Sequence, residues 1–363
     1  MSRYYSLTIS NPKTGQSIVP DGHVGFTTGT GPTFSSLYKD ALTRQTRVDP
    51  GALHIEFDIP VLQLAKPQGA FRVKIFGVGL KMIGQAANLS GMRFQLKAGM
   101  SAGLPLANPA QAGVIAEGNI FQAYGNWQGV DQTLDLLVNP GPPGTTDSIF
   151  DRKMYFFWPA ESSLYDAIDA ALQAALPEFK RQIFIDPRLL LPNDEAGWYA
   201  TPTQWASYLL GITQPLGAQI LGFNYPGVQV CVTGDTIYVF DGTDTSKGPG
   251  GPLVPLKFQD LIGQPTWLTG TDIGFSTVLR ADIGVGNRVR FPQGIASPFA
   301  ILSPKAGESA TSATFPLPAK NKSIFQGDFI IQEVHHFGSF RQPDADSWAT
   351  AFRATPPPPG SSS

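Results

Sequence analysis

Few residues of this chain have the types and spacing that metal or covalent chemistry needs. His335 and His336 are adjacent on a predicted strand, so their side chains point to opposite faces and cannot share a metal ion. His23 and His54 are isolated. The single cysteine, Cys231, excludes an intramolecular disulfide and a cysteine-based zinc cluster, and its apolar surroundings predict a buried, inert thiol. We therefore expect neither a metal nor another cofactor.

Two pairs of carboxylates stand two residues apart, a spacing that puts both side chains on one face of a strand. The context of Glu56 and Asp58 predicts the solvated face of a strand, whereas that of Asp344 and Asp346 predicts a turn. A carboxylate pair for glycoside hydrolysis can also come from distant parts of a chain, so the sequence leaves that chemistry open.

Two loops carry a weak likeness to ligand-binding motifs. Asp235, Asp241 and Asp244 lie near glycine but do not fit the twelve-residue calcium loop, so we interpret them as polar turn residues. Gly29 and Gly31 have the spacing of a phosphate-binding loop, but no predicted strand precedes them and no lysine follows at the right offset. The sequence also lacks G-x-S-x-G, H-E-x-x-H and Walker A motifs. We expect no enzyme and assign no catalytic, cofactor-binding or metal-binding residues.

The composition favours a β protein over a nucleic-acid-binding module. The 363 residues are enough for two or three domains, and the formal net charge is -2, which argues against a basic nucleic-acid-binding surface. Charged residues make up 15% of the chain, against roughly 25% in typical soluble domains. No apolar run reaches the length of a membrane span, and the first ten residues lack the apolar core of a signal peptide. We expect synthesis in the cytoplasm and no membrane span.

Alternation of apolar and polar residues organises the chain between residues 53 and 139. In the first segment Ile55, Phe57 and Ile59 alternate with Glu56 and Asp58, and the same period of two recurs in later segments. This period predicts a half-buried antiparallel sheet, and the glycines at its joints suit the turns of a meander or barrel. The predicted strands cover residues 53–59, 71–77, 91–100, 113–127 and 132–139.

A mixed segment and a second β region follow. A helix is predicted from Ser162 or Ser163 to residue 176, with Ser162 as a plausible N-cap, and a second, shorter one over 203–210. Residues 233–235 predict a hairpin turn. The further predicted strands are 219–223, 228–232, 236–240, 276–279, 288–291, 329–335 and 347–354. The fold class is therefore mainly β with a small α+β part.

The linkers suggest how the chain divides. Apart from one short strand at 4–9, the first 50 residues look irregular, and residues 303–322 look like a long exposed loop. A Pro/Gly-rich stretch at 139–144 marks a boundary. The predicted division is an N-terminal arm at 1–50, a first β domain at 51–150, a mixed α/β middle domain at 151–267, a second β domain at 268–354, and a disordered tail at 355–363.

Two stretches carry a resemblance to a known family. The first holds LHIEFDI at 53–59, FRVKIFGVGL at 71–80 and LSGMRFQLKAGM at 89–100, and continues through 115–141. The second holds LIGQPTWLTGTDIGFSTVLRADIGVGNRVRF at 261–291 and QGDFIIQEVHHFGSFRQPDADSWATAFRA at 326–354. Together the motifs resemble the central baseplate hub (tail hub) proteins of tailed phages of the contractile type. The resemblance covers about two-thirds of the chain.

The resemblance implies a structural virion protein of the tail baseplate, assembled in the host bacterial cytoplasm. Hub proteins of this kind have two tube-like β-barrel domains in each subunit, here 51–150 and 268–354. Three subunits form a homotrimeric ring of six barrels, which joins a sixfold tail tube protein above to a threefold spike protein below. Other baseplate proteins surround the ring, and DNA passes through its lumen only as cargo. The family has no catalytic residues to carry over.

Other functions stay open at this point. The chain could be a glycan-binding or peptidoglycan-degrading tail-associated protein, or a tail-tube or secretion-spike-like subunit. Trp127, Trp158 or Trp198 in a groove would favour glycan binding, although core packing is expected for each. Four basic residues lie away from the apolar set and face a lumen, a partner or solvent: Arg72, Lys74, Arg288 and Arg290. We expect the N-terminal arm and the loop 303–322 to make subunit or tail contacts.

Overall fold

The structure is a computed structural model of the whole chain. It describes residues 3–22, 25–66, 69–101, 108–145, 148–222, 225–243, 253–269, 272–291 and 327–357. The protein is mainly β with a small helical part, as the sequence predicts. His23, Asp244, the predicted loop 303–322 and most of the predicted tail lie outside the described residues.

The regular structure of residues 1–140 is mainly strand. The only α-helix described in this part of the chain, α1 (Leu80–Gly84), is short. The strands are β1 (Arg3–Ser10), β2 (Ser17–Asp21), β3 (Gly25–Gly29), β4 (Phe34–Ser35), β5 (Leu37–Lys39), β6 (Thr46–Val48), β7 (His54–Val61), β8 (Phe71–Phe76), β9 (Arg93–Met100), β10 (Gly113–Gln128) and β11 (Asp131–Asn139).

The remainder of the chain, from residue 141, mixes strands with two longer helices, α2 (Leu164–Ala175) and α3 (Pro202–Ile220). The strands are β12 (Met154–Trp158), β13 (Lys180–Phe184), β14 (Glu195–Tyr199), β15 (Gln229–Thr233), β16 (Thr236–Phe240), β17 (Val254–Pro255), β18 (Thr266–Trp267), β19 (Ile273–Val278), β20 (Arg288–Arg290), β21 (Asp328–Ser339) and β22 (Trp348–Thr355).

One large sheet contains strands from both ends of the chain. Its order is β18-β19-β22-β21-β7-β8-β11-β10-β9-β1-β2-β3. The five strands predicted between residues 53 and 139 are all confirmed. β10 pairs with β9 through its first half and with β11 through its second, and its register shifts at both Val114/Ala116 and Ile120/Gln122. Such bulges bend a strand, and β10 changes partner from β9 to β11 between its two bulges.

The first β block encloses a core built from the inward residues of β1 and β7 to β11. Tyr5, Leu7 and Ile9 alternate with polar residues on β1 and are fully buried. The predicted strand at 4–9 is confirmed, but the expectation that the rest of this segment is irregular is wrong. β2 and β3 extend the sheet as a hairpin although their sequences are rich in Ser, Thr and Gly. Hydrogen bonding to neighbouring strands therefore makes these segments strands, although their own composition does not favour that structure.

The middle segment has its own core between α2, α3 and two small sheets, β12-β14 and β13-β16-β15. Helix α2 matches its prediction, with Ser163 in the N-cap position instead of Ser162. Helix α3 runs ten residues beyond the predicted end at residue 210, past Pro215, so the predicted strand at 219–223 is wrong. The hairpin turn between β15 and β16 is confirmed, with Gly234 at φ 60°.

The second β block consists of β19, β22, β21 and β20, and its four predicted strands are confirmed. Its core is aromatic: Phe275 stacks on Phe352 at 4.9 Å between ring centroids, and Phe291 meets Phe275 and Phe329 edge-on. In the part of the chain that the structure covers, no helix combines the length and apolar character needed to cross a membrane.

Candidate functional site

The two β blocks join edge to edge. β7 and β21 pair antiparallel from Val61 opposite Val334 to Glu56 opposite Ser339. We call the eight strands β18-β19-β22-β21-β7-β8-β11-β10 the shared sheet. It ends at the second half of β10, which among the described strands pairs with β11 alone, whereas the first half of β10 continues the large sheet into β9. At the junction a side chain on Gly338 would overlap the ring of Phe57, so only glycine permits this approach. The shared sheet therefore joins strands from distant parts of the chain.

The outward face of the shared sheet carries charges of both signs, and most of them are paired within the chain. Arg72 on β8 donates through Nε to Asp135 Oδ1 on β11 at 2.8 Å. The Asp135 carboxylate is fully buried and also accepts from Asn126 and Thr133. This carboxylate raises the pKa of Arg72 by hydrogen bonding. Further pairs on this face are His335–Asp58, His54–Glu56, Lys66–Glu333 and Arg353–Glu333.

The four basic residues predicted to lie away from the apolar set do so, but they do not form a basic patch. Arg72 is engaged by Asp135, and the Lys74 ammonium lies 4.9 Å from the centroid of the Phe76 ring. Arg288 and Arg290 both pair with Asp328 across the β20–β21 ladder. Charge on these surfaces is largely balanced within the chain.

The histidine pair lies as predicted. His335 is partly exposed and contacts Asp58. His336 points to the opposite face, is buried, and lies 3.0 Å through Nδ1 from Thr350 Oγ1. Burial lowers the pKa of His336 to about 3, with a smaller effect from His335. Within the described ranges no group of three or more His, Cys, Asp or Glu residues is arranged to hold a metal ion.

The buried His336 gives the protein an acid-sensitive element. Because the folded chain holds this imidazole neutral and the unfolded chain protonates it near pH 6.5, the unfolded state binds more protons below that pH. The contribution of His336 to the free energy of unfolding is therefore undiminished above pH 6.5. Below that pH the free energy of unfolding falls by up to about 1.4 kcal/mol for each pH unit. We expect His336→Gln to reduce this slope between pH 5.5 and 4, measured by urea unfolding at a series of pH values. Parallel loss of stability in both proteins would contradict the assignment.

The acidic residues tested for ligand chemistry have structural partners. Asp241 is buried and accepts from the Asp186 N–H at 2.8 Å, the Tyr225 hydroxyl at 3.0 Å and both the N–H and the hydroxyl of Thr243. Asp235 pairs with Lys180. The predicted turn at Asp344 and Asp346 is confirmed as a short 3₁₀ helix. Glu56 and Asp58 lie on the outward face of the shared sheet, as predicted.

Cys231 is buried, as predicted, and burial raises the pKa of its thiol to about 12. A thiol in this state is a poor nucleophile at neutral pH, because the thiolate is the reactive form.

The prediction that each of three tryptophans packs in the core is confirmed for one of them. Trp158 is fully buried, but Trp127 is 63% exposed and Trp198 is 79% exposed. Trp198 lies on β14 with its ring 4.7 Å from that of Tyr155 on β12. Phe157, next on the same side of β12, is also exposed. We call Tyr155, Phe157 and Trp198 the aromatic face. The sequence does not predict this exposed surface, because a run of aromatic residues is typical of a core strand. Whether another element packs over it is not visible in the local sequence.

The two ends of the shared sheet differ, and both expose apolar side chains. At the β10 end these are Phe121, at the second bulge, and Trp127 and Val130 at the β10–β11 hairpin, where Val130 is 95% exposed. At the β18 end the exposed side chain is Leu268, directly after β18. Exposed apolar side chains at two unlike sheet ends mark both as candidate contact surfaces.

Comparison with known proteins finds similarity among solved structures. No family model matches the chain, and no curated protein matches it. A tail protein from Neisseria meningitidis MC58 is 11% identical, with a TM-score of 0.43, covering 97% of this chain and 96% of that one. The 43 kDa tail protein of prophage MuSo2 from Shewanella oneidensis is 9% identical, with a TM-score of 0.44, covering 84% and 98%. A Francisella PdpA–VgrG complex gives 8% identity and a TM-score of 0.41, covering 99% of this chain and 60% of that one.

Proposed function

We propose that the chain is a non-enzymatic structural subunit of a phage-type tail: a baseplate hub whose copies form a closed ring between tail tube and spike. The observation that carries this proposal is the shared sheet. It combines two β blocks in one continuous surface and ends in two unlike apolar surfaces.

Unlike ends favour a ring. A contact between the β10 end of one copy and the β18 end of the next is heterologous, and it closes when the rotation between copies divides a full circle. Closure also covers sheet ends that would otherwise invite uncontrolled association. Each chain contributes two β blocks, so three copies present six blocks to a sixfold tail tube and three equivalent faces to a spike.

The outward face of the shared sheet suits the wall of a channel for DNA. Binding to DNA comes chiefly from cations that neutralise phosphates, and an excess of them would retain the passing strand. Here Arg72 and Arg353 are each paired with a carboxylate of the same chain. A surface with balanced charge lets DNA pass as cargo without a lasting contact.

The test of this proposal is the solution mass of the purified protein, measured by light scattering with and without a co-expressed spike. We expect three times the 38.9 kDa chain mass in at least one condition. The double variant Trp127→Asp/Val130→Asp should be monomeric in both, because charge at the β10 end opposes burial of that surface. Leu190→Asp, exposed on the middle segment, is the matched control and should keep the trimer.

Two results would count against the ring. A stable monomer in both conditions would refute the proposed ring. A closed dimer would show that the copies contact each other through a different surface. Hydrolysis of purified cell walls that a single carboxylate substitution abolishes would establish the enzyme alternative instead.

A further inference from the structure

One hairpin of the first β block projects without joining the large sheet. β5 and β6 pair with each other and with no other described strand. The base of the hairpin is fixed to β1, because Ser36 donates its N–H to the Tyr5 carbonyl at 3.0 Å and its own carbonyl accepts the Asp49 N–H at 2.9 Å. Every residue from 41 to 48 is exposed. We call residues 37–48 the projecting hairpin, which is anchored at its base and open to solvent at its tip.

The tip of the projecting hairpin is held in one conformation. Asp40 donates its N–H to the Gln45 carbonyl and accepts the Arg44 N–H through its own carbonyl, both at 2.9 Å. Its carboxylate accepts the N–H groups of Thr43 and Leu42, each at 2.9 Å, which lower the pKa of Asp40. A loop that is already ordered loses little conformational entropy when it binds, so the tip is suited to contact with a partner.

Three exposed apolar side chains lie on this hairpin. Leu42 in the turn is 95% exposed, and Val48 and Tyr38 lie nearer the base at 53% and 43%. A single exposed leucine is ordinary on a protein surface, but this one occupies the turn of an ordered hairpin with an aromatic residue behind it. In proteins that bind membrane surfaces, apolar side chains enter the acyl boundary and tyrosine lies at the level of the headgroups. The apolar groups of the projecting hairpin have this order from tip to base.

The projecting hairpin is also basic, although the whole chain has a formal net charge of -2. It carries Lys39, Arg44 and Arg47 against the single carboxylate of Asp40, which lies 3.4 Å from Arg47 Nε. No ion pair among the described residues engages Lys39 or Arg44. The next acidic residue, Asp49, lies at the base. Cations therefore surround the apolar tip, and the complementary surface is anionic.

A second exposed apolar tip lacks these cations. At the β10–β11 hairpin Trp127 and Val130 are exposed, but the turn at 128–131 contains Asp131 and no lysine or arginine. That tip suits the contact between copies already proposed. The combination of an apolar turn with surrounding cations distinguishes the projecting hairpin from it.

The composition and size of the projecting hairpin favour a lipid surface over other partners. A nucleic acid would engage the cations but leave Leu42 in water, because its affinity comes chiefly from phosphate contacts. A protein interface of standard size takes roughly 20–30 residues from each side, more than this hairpin offers. An anionic bilayer needs only a small apolar insertion with cations beside it, so it uses both features.

We propose that the projecting hairpin binds the surface of an anionic phospholipid bilayer, with Leu42 in the acyl boundary and Lys39 and Arg44 at the lipid phosphates. This contact goes beyond the proposed ring and does not depend on it. In a ring, three equivalent hairpins would engage one bilayer and bind more tightly than one hairpin alone.

Vesicle flotation of the full-length protein tests the lipid contact. We expect binding to vesicles of equal parts phosphatidylglycerol and phosphatidylcholine, weakened by salt, and none to phosphatidylcholine alone. Leu42→Asp should lower the affinity at least about tenfold, and Lys39→Gln/Arg44→Gln roughly 10- to 30-fold. Leu190→Asp and Arg188→Gln make the matching charge changes on exposed residues of the middle segment and should have less than about a twofold effect.

A fluorescent label reports whether the tip enters the bilayer. An environment-sensitive dye on Leu42→Cys should shift its emission to the blue on the mixed vesicles, whereas the same dye on Leu190→Cys should not. The native Cys231 is buried and does not take the label.

The outcomes separate the lipid contact from the ring and from nucleic-acid binding. A trimer that does not float with the mixed vesicles overturns the lipid contact and leaves the ring intact. A monomer that floats, and loses binding with Leu42→Asp, supports the lipid contact without the ring. Binding to duplex DNA that equals or exceeds binding to the vesicles and is unchanged by Leu42→Asp overturns the lipid assignment.

Discussion

Trp348→Ala is expected to lower the free energy of unfolding by about 3–5 kcal/mol, the range for removing a large buried aromatic side chain. Trp348 belongs to β22 of the second β block, but its ring packs into the core of the first, edge-on against Phe57 at 5.2 Å. Its indole N–H donates to the carbonyl of Gly99 at 3.0 Å. The substitution therefore leaves a cavity and an unpaired buried carbonyl at the junction of the two blocks.

Urea unfolding followed by circular dichroism measures this loss. Trp198→Ala is the matched control: its ring is exposed, so its effect on stability should stay within about 0.5 kcal/mol. If both variants shift the midpoint equally, Trp348 does not hold the two blocks together.

Arg280→Met is expected to cost a comparable amount, about 3–5 kcal/mol, because it removes a buried cation and leaves the buried carboxylate of Asp260 without a counter-charge. The guanidinium of Arg280 is buried and donates through Nε and Nη2 to Asp282 at 2.7 Å each. Its Nη1 lies 3.6 Å from Asp260, a buried carboxylate that also accepts from Gln111 of the first β block. Methionine fills a similar length but leaves two carboxylates without their cation.

Two further variants make this prediction specific. Arg290→Met removes an exposed arginine of the same block and should cost less than about 1 kcal/mol. The triple variant Arg280→Met/Asp260→Asn/Asp282→Asn removes the stranded charges and should recover much of the loss, measured by the same urea titration. If neutralising the carboxylates recovers nothing, the cost of Arg280→Met comes from packing and not from charge.

Local patterns predicted the strands of this chain well, since a period of two is visible wherever one face is buried, as on β1 with Leu7 and Ile9. They failed where the deciding partner is remote. The Ser/Thr/Gly-rich β2 and β3 become strands only beside β1. Helix α3 continues past Pro215, and its second half contacts a remote segment, since the Thr213 hydroxyl accepts the N–H of Val228 at 2.9 Å.

The candidate site shows the same limit. The outward position of Arg72 follows from alternation on β8, but its partner Asp135 is 63 residues away, and Asp58 meets His335 across 277 residues. Trp198 is exposed because no described element packs over that side of β14, and the local sequence pattern cannot predict this.

The pairing of β7 with β21 has a consequence for how the chain is made. A ribosome adds about 5–20 residues per second, so β7 waits about 15–55 seconds for its partner strand to emerge. During that interval one edge of β7 has free backbone donors and acceptors, and the core of the first block lacks the indole of Trp348. Late arrival of a sheet partner makes folding slow and leaves the nascent chain open to association with other chains. Residues 328–355, in the last tenth of the chain, therefore complete the sheet and the core that begin with its first 140 residues.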